Sequence, residues 1–443
     1  MTKQTTPTTN IWGDRLLTIL TILVGISFLA ILVLGSYFDQ PITQALSFDI
    51  EDGQCDPSTQ GVGVHCFGDY QYVQRQLSPS AGAYYQENPN NIYTPTGLIP
   101  NLIAKTIDKN FGPRVALFIF LLLLAIAISI PAIYFSLRPS RSKRFGTIFA
   151  FLTVFAQPFI STLDRGSSVG FALPFLMLFA IKITHNPSLS ATLAIVGATA
   201  IRPQFALLAI GLLAFGQIKH FLLTVFVFLS MTVASFILWP GSSHTNITIW
   251  FRNVSGYSSG VKTDVADKYP VNLSMRSAVD HIDTLFNNTV SNWIQINYFA
   301  ISIAILIVIV GVLFACRSTN TKSEVIIVAM SLPCLIPETS FVYYSLFTVV
   351  LGALIFTNSS FLELTETEIL DTTSKSKHFY QWFLVSAIAI SLAPIPFVFE
   401  VGRNSIALEY FGLIWSVVLF WTLARSIMHN RQTSASFSNS SLK

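Results

Sequence analysis

The sequence predicts an all-α polytopic integral membrane protein, with about twelve transmembrane or re-entrant helices and two long extracytoplasmic loops. Three observations carry that expectation. Of 443 residues, 52% are hydrophobic and only 11% charged, whereas soluble chains carry roughly 25% charged residues. So few charges cannot clothe several hydrated surfaces, and a soluble enzyme is excluded. Apolar runs of membrane-spanning length recur along the chain, and Lys and Arg collect in alternate short loops. The balance of 26 Lys+Arg against 22 Asp+Glu leaves a net charge of +4, too small and too dispersed for a nucleic-acid binder.

Leu16 to Tyr37 is unbroken and apolar, with Lys3 and Arg15 before it, and reads as an uncleaved signal anchor. Further runs lie near Val115 to Leu137, Phe145 to Leu163, Val169 to Ile181, Leu189 to Ile201, Gln204 to Phe215, Phe221 to Trp239 and Ile296 to Cys316. Four more follow near Val325 to Ile336, Phe341 to Phe356, Phe379 to Phe399 and Ala407 to Leu423. The runs beginning at Leu189, Gln204 and Val325 fall short of the roughly 17 residues a perpendicular span needs, so broken, re-entrant or protein-buried segments are expected there.

Arg138, Arg141, Lys143 and Arg144 crowd one short turn, and Lys182, Lys219, Arg317, Lys322, Arg425 and Arg431 share its side by parity. Positive charge in short loops marks the cytoplasmic face, which puts both termini inside a plasma (inner) membrane. The loops 38–114 and 240–295 then face outward. The first contains Leu98 to Ile107, an amphipathic piece suited to the interface plane. Residues 359–377 read as a cytoplasmic linker and 432–443 as a disordered tail. One polytopic membrane domain accounts for 1–443.

Cys55 and Cys66 are the only cysteines in the exported loops, and in an oxidising compartment a disulfide between them is expected, with two free thiols as the alternative. Among the exported carboxylates, Asp264 and Asp267 sit in a mixed-charge stretch that reads as solvated surface. No zinc spacing, phosphate loop or nucleophile elbow occurs, so no metal or cofactor is expected.

The first outer loop runs Gly68-Asp69-Tyr70-Gln71-Tyr72, then Gly82-Ala83-Tyr84-Tyr85, then Tyr93-Thr94-Pro95-Thr96-Gly97. Asp164-Arg165-Gly166-Ser167-Ser168 and Ala200-Ile201-Arg202-Pro203-Gln204 follow in later turns, and Asn272-Leu273-Ser274 in the second outer loop. This order of an acidic residue, Gly/Tyr segment, aromatic-x-Pro turn and two Arg turns resembles membrane glycosyltransferases of the GT-C superfamily, and most closely family 87. The resemblance implies a polyprenyl-phosphate-linked sugar donor, a hexose such as mannose, a lipid or cell-envelope glycan acceptor, and transfer on the extracytoplasmic side. It also implies Asp69 as catalytic base, Arg202 and Arg165 at the donor phosphate, and Tyr72, Tyr93 and Tyr343 at the substrate. Glu338, an ionisable group between two short apolar runs, is expected to line the same site or to meet a partner. The chain departs from the family's late Ser-Pro-x-Ser-Trp-x-His-Tyr segment. It has Pro337-Glu338-Thr339-Ser340-Phe341-Val342-Tyr343-Tyr344, with Tyr343 where the family has His.

The chemistry agrees. Moving a sugar from a lipid phosphate to a hydroxyl needs a base for the hydroxyl proton and cations for the departing phosphate, and an arginine fork can hold two phosphate oxygens. A polysaccharide polymerase or ligase using polyprenyl-diphosphate glycans, and a secondary transporter, are the competing readings.

Overall fold

The computed structural model describes residues 11–37, 67–77, 84–87, 91–136, 152–184, 189–264, 273–284, 291–319, 321–338, 340–357, 374–393, 396–399, 402–405 and 410–440. Among the described residues the architecture is helical, with one short hairpin. Helix α1 (Ile11–Tyr37) covers the first apolar run. The segment 38–114 contributes α2 (Gly68–Gln76), α3 (Tyr84–Glu87) and α4 (Ile99–Phe111), and α5 (Pro113–Ser136) follows directly. Next come α6 (Gln157–Arg165), α7 (Leu173–Thr184), α8 (Leu189–Ile201), α9 (Ile210–Ala214) and α10 (Ile218–Leu238). The segment 240–295 holds α11 (Ser243–Asp264) and α12 (Met275–Thr284), and the remaining helices among the described residues are α13 (Ser291–Ala315), α14 (Lys322–Leu335), α15 (Phe347–Thr357), α16 (Ser374–Leu392) and α17 (Phe411–Ser440).

Among the described residues, four helical stretches are long and apolar enough to cross a membrane: Pro113–Tyr134, Ile218–Leu238, Asn297–Ala315 and Phe411–Arg431. Two of them carry their apolar side chains outward, with Leu222, Phe226, Leu229, Val233 and Ile237 exposed on α10, and Phe299, Ile303, Ile307 and Val308 on α13. Surfaces of that kind suit lipid and not water. Helix α14 is the opposite case. Every residue from Glu324 to Leu335 is buried, which is the signature of a helix surrounded by protein. Its shortness, expected from the sequence, follows from that position at the centre of the bundle.

Two boundaries differ from the sequence reading. The run from Phe379 to Phe399 is not one span: α16 stops at Leu392, and Pro396–Phe399 pairs antiparallel with Gly402–Ser405 as strands β1 and β2. Pro394 and Pro396 end the helix, because proline cannot continue the hydrogen-bond ladder and disfavours helical backbone in the residue before it. The tail beyond Arg431 is helical as far as Ser440. No Gly or Pro follows Gly412 to interrupt it.

Pieces of the segments 38–114 and 240–295 pack together. Tyr84, Tyr85, Tyr93, Phe236 and Trp239 form an aromatic cluster joined by Trp250, whose indole N–H donates to the Ile92 carbonyl at 2.9 Å. Asn253 Nδ2 donates to the Asn91 carbonyl at 3.3 Å, and Asn91 Nδ2 to that of Tyr84. Helix α4 is amphipathic, burying Asn101 and Ala104 while exposing Ile99, Ile103 and Phe111.

Candidate active site

Asp69 reaches its position through two left-handed residues. Phe67, the residue before α2, has φ +49°, and Gly166, which ends α6, has φ +60°. A Cβ on Gly166 would lie 2.9 Å from Tyr70 Cβ, so glycine satisfies both the backbone twist and the close approach. The end of α6 therefore sits directly on the first turn of α2. Arg165 Nε and Nη2 both donate to Asp69 Oδ1, at 2.9 and 2.7 Å. The pair is mostly buried, and Asp69 Oδ2 has no hydrogen-bond partner. One carboxylate oxygen is thus fixed by a guanidinium while the other keeps its lone pairs.

Arg202 reaches the same place by a chain break. The residue before a proline is pushed out of helical backbone, and Arg202, ahead of Pro203, is extended at φ −146°, ψ 125°. Helix α8 ends there, and a 3₁₀ turn, Pro203–Ala209, takes over. The guanidinium lies with Cζ 3.5 Å from the centroid of the Tyr93 ring. It is 6% exposed, its Nε has no hydrogen-bond partner, and among the described residues no carboxylate forms an ion pair with it. Burying an unpaired cation costs several kcal/mol, of which a desolvated cation–π contact returns roughly 2 kcal/mol. The difference is what an anion at this point would supply.

The turn carrying Tyr93 is docked on the break itself. A Cβ on Gly97 would lie 2.7 Å from the Ile201 carbonyl oxygen, so only glycine lets the turn approach. Tyr85 Oη donates to the Tyr93 carbonyl at 2.9 Å. Burial pushes the Tyr93 phenol above its ordinary range, with Arg202 pulling the other way, and Tyr84 is raised by burial in the same manner. The phenols around Arg202 therefore keep their protons near neutral pH. Tyr343 and Tyr344, on the buried 3₁₀ turn Val342–Leu346, complete the ring at 5.0 Å from each other and within electrostatic reach of Arg202.

Asp69, Arg165, Arg202, Tyr93 and Tyr343, singled out separately in the sequence, are thus brought together. Tyr72 stands one turn beyond Asp69 on α2, with its hydroxyl on Asn91 Oδ1 at 3.2 Å. Glu338 pairs with Arg276 of α12. Its carbonyl accepts from Ser274 Oγ at 3.0 Å, and Leu273 N–H donates to the Ser340 carbonyl at 2.8 Å. Cys55 and Cys66 lie outside the described residues. Sequence reasoning did not assign Tyr84, Tyr344 or Arg276. Tyr84 and Tyr344 stand inside segments that drew attention for other residues, whereas Arg276 carries no local signal because its partner is 62 positions away.

A family model described as glycosyltransferase family 87 matches residues 91–337, more than half of the chain and including Tyr93, Arg165 and Arg202. No curated protein and no solved structure matches the chain.

Proposed function

The chain belongs to glycosyltransferase family 87, and on that premise we propose that it transfers a hexose such as mannose from a polyprenyl-phosphate-linked donor to a lipid or cell-envelope glycan acceptor. Transfer takes place on the extracytoplasmic side of the plasma (inner) membrane, in a chain of about twelve passes with both termini cytoplasmic, as short-loop charge requires. The observation that carries this reading is a buried guanidinium without a carboxylate, Arg202, ringed by phenols beside a carboxylate with one free oxygen. Membership of an enzyme family removes the transporter reading.

In the proposed step the acceptor hydroxyl oxygen attacks the anomeric carbon and the bond from that carbon to the phosphate oxygen breaks. The hydroxyl proton goes to Asp69 Oδ2, and the polyprenyl phosphate leaves with its charge held by Arg202. Arg165 orients the base through Oδ1 and lies close enough to help balance the leaving charge. Glu338, tied to Arg276, anchors the segment that presents Tyr343. Tyr72 and Tyr93, in the packed aromatic cluster, meet the substrate.

Purified protein incubated with polyprenyl phosphate sugars and a glycolipid acceptor tests this directly. Sugar release or transfer from the monophosphate donor is expected. Turnover confined to polyprenyl-diphosphate glycans would replace the reading with the polymerase or ligase one.

A further inference from the structure

We propose that Ser167 and Ser168 read hydroxyl groups of the transferred sugar, an inference that rests on the donor reading above and specifies which part of the donor these residues meet. Both side chains are buried, at 0% and 2% exposure, and neither Oγ has a hydrogen-bond partner. Ser167 precedes the 3₁₀ turn Ser168–Ala172, where a serine ordinarily turns its hydroxyl back to cap the backbone. It makes no such bond. A buried hydroxyl left unpaired is destabilising, and two in succession mark a place built for hydroxyl partners. Serine Oγ both donates and accepts, which suits sugar hydroxyls better than the purely accepting oxygens of a phosphate.

Their position in the site supports the same assignment. The serines follow Arg165 and Gly166, so they leave the point where Asp69 is held. Ser167 N–H closes α6 by donating to the Thr162 carbonyl at 3.0 Å. Ser168 then stands beside the Tyr93 phenol, close enough to influence its ionisation though short of a full hydrogen bond. Tyr93 in turn stacks on Arg202. The chain order is therefore base, serines, aromatic ring, phosphate seat. In a direct displacement the sugar lies between the attacking hydroxyl and the leaving phosphate, so the groups between base and phosphate seat face the sugar.

The test compares equilibrium binding of two probes, polyprenyl phosphate and the same lipid carrying a mannosyl group, to wild-type protein, Ser167→Ala, Ser168→Ala and the double variant. Ser167→Cys and Ser168→Cys, near-isosteric and weak donors, serve if the alanine forms do not fold, and an unchanged thermal midpoint admits each variant. The expected result is a loss of about tenfold in affinity for the mannosylated lipid in the double variant, with affinity for the bare phosphate unchanged. Equal losses for both probes would place the serines at the phosphate, and no loss for either would make them ordinary buried hydroxyls. Both outcomes overturn the inference. Failure of the wild-type protein to bind either lipid would instead remove the donor reading itself, and this inference with it.

Discussion

Two buried charge clusters in this protein differ in one respect. At the start of α14, Glu324 is 3% exposed, yet its Oε2 accepts from the Thr321 backbone N–H at 3.0 Å and from Ser426 Oγ at 3.3 Å. Its other oxygen lies 3.9 Å from Arg425 Nε. Arg425 covers the Tyr380 ring at 4.3 Å, and the Tyr380 hydroxyl pairs with Thr422 at 2.8 Å. The groups close on one another. In the Asp69–Arg202 cluster, by contrast, Asp69 Oδ2, Arg202 Nε, Tyr84 Oη and both serine hydroxyls have no hydrogen-bond partner. Native proteins pair nearly all buried polar groups, so a closed network reads as architecture and an open one as a place for a ligand.

Breaking the open cluster at its base has the largest expected effect. Asp69→Asn keeps the size and removes the proton acceptor, so transfer falls by about 10² to 10⁴-fold while donor binding and folding persist. Steady-state transfer and direct binding assays on the same preparation check this, with Asp264→Asn as a control carboxylate. Arg202→Met comes next. Loss of a charged hydrogen-bonding partner lowers donor affinity at least about tenfold, and Arg202→Lys loses less because the charge remains. The thermal midpoint of Arg202→Met holds or rises, since an unpaired buried charge is removed.

Glu324→Ala inverts that pattern. It opens the closed cluster, costing about 2 kcal/mol of stability, while turnover per folded molecule stays at the wild-type level. A fall in specific activity matching that of Arg202→Met would erase the distinction between the clusters. The smallest effect concerns pH. Burial, with Asp108 adding to it, raises the Tyr70 phenol to about 12, against roughly 10 in an unfolded chain. The folded state then holds its proton longer, so stability is unaffected below the unfolded value and is lost as pH rises from 10 to 12. Thermal midpoints across that interval check it, and Tyr70→Phe flattens the slope.

The membrane class was legible because lipid exposure acts on composition, residue by residue, and the break at Arg202-Pro203 because proline acts on its immediate neighbour. Asp69, Arg165 and Arg202 could be named singly for the same reason, each standing in a local pattern. Their mutual geometry was not legible. The contact between Asp69 and Arg165 spans 96 positions and depends on the left-handed Phe67, a conformation its sequence does not announce. Glu338 shows the limit from the other side: an ionisable group in an apolar stretch was identified, but its partner Arg276 lies on α12, 62 positions away. The end of α16 was missed because the run from Phe379 to Phe399 is apolar throughout, and hydropathy alone does not register the two prolines.

Gly97 has a consequence for how mutational data on this protein will look. The turn bearing Tyr93 rests against the last carbonyls of α8 with no space for even a methyl group. In a saturation library scored by activity, that position would tolerate as few replacements as Asp69. An activity score would therefore place it among the reacting groups, although it has no functional group to contribute. Ranking the same library by yield of folded protein separates the two: Asp69→Asn, which keeps an oxygen for Arg165, remains abundant, while variants at the glycine disappear along with the seam between turn and helix.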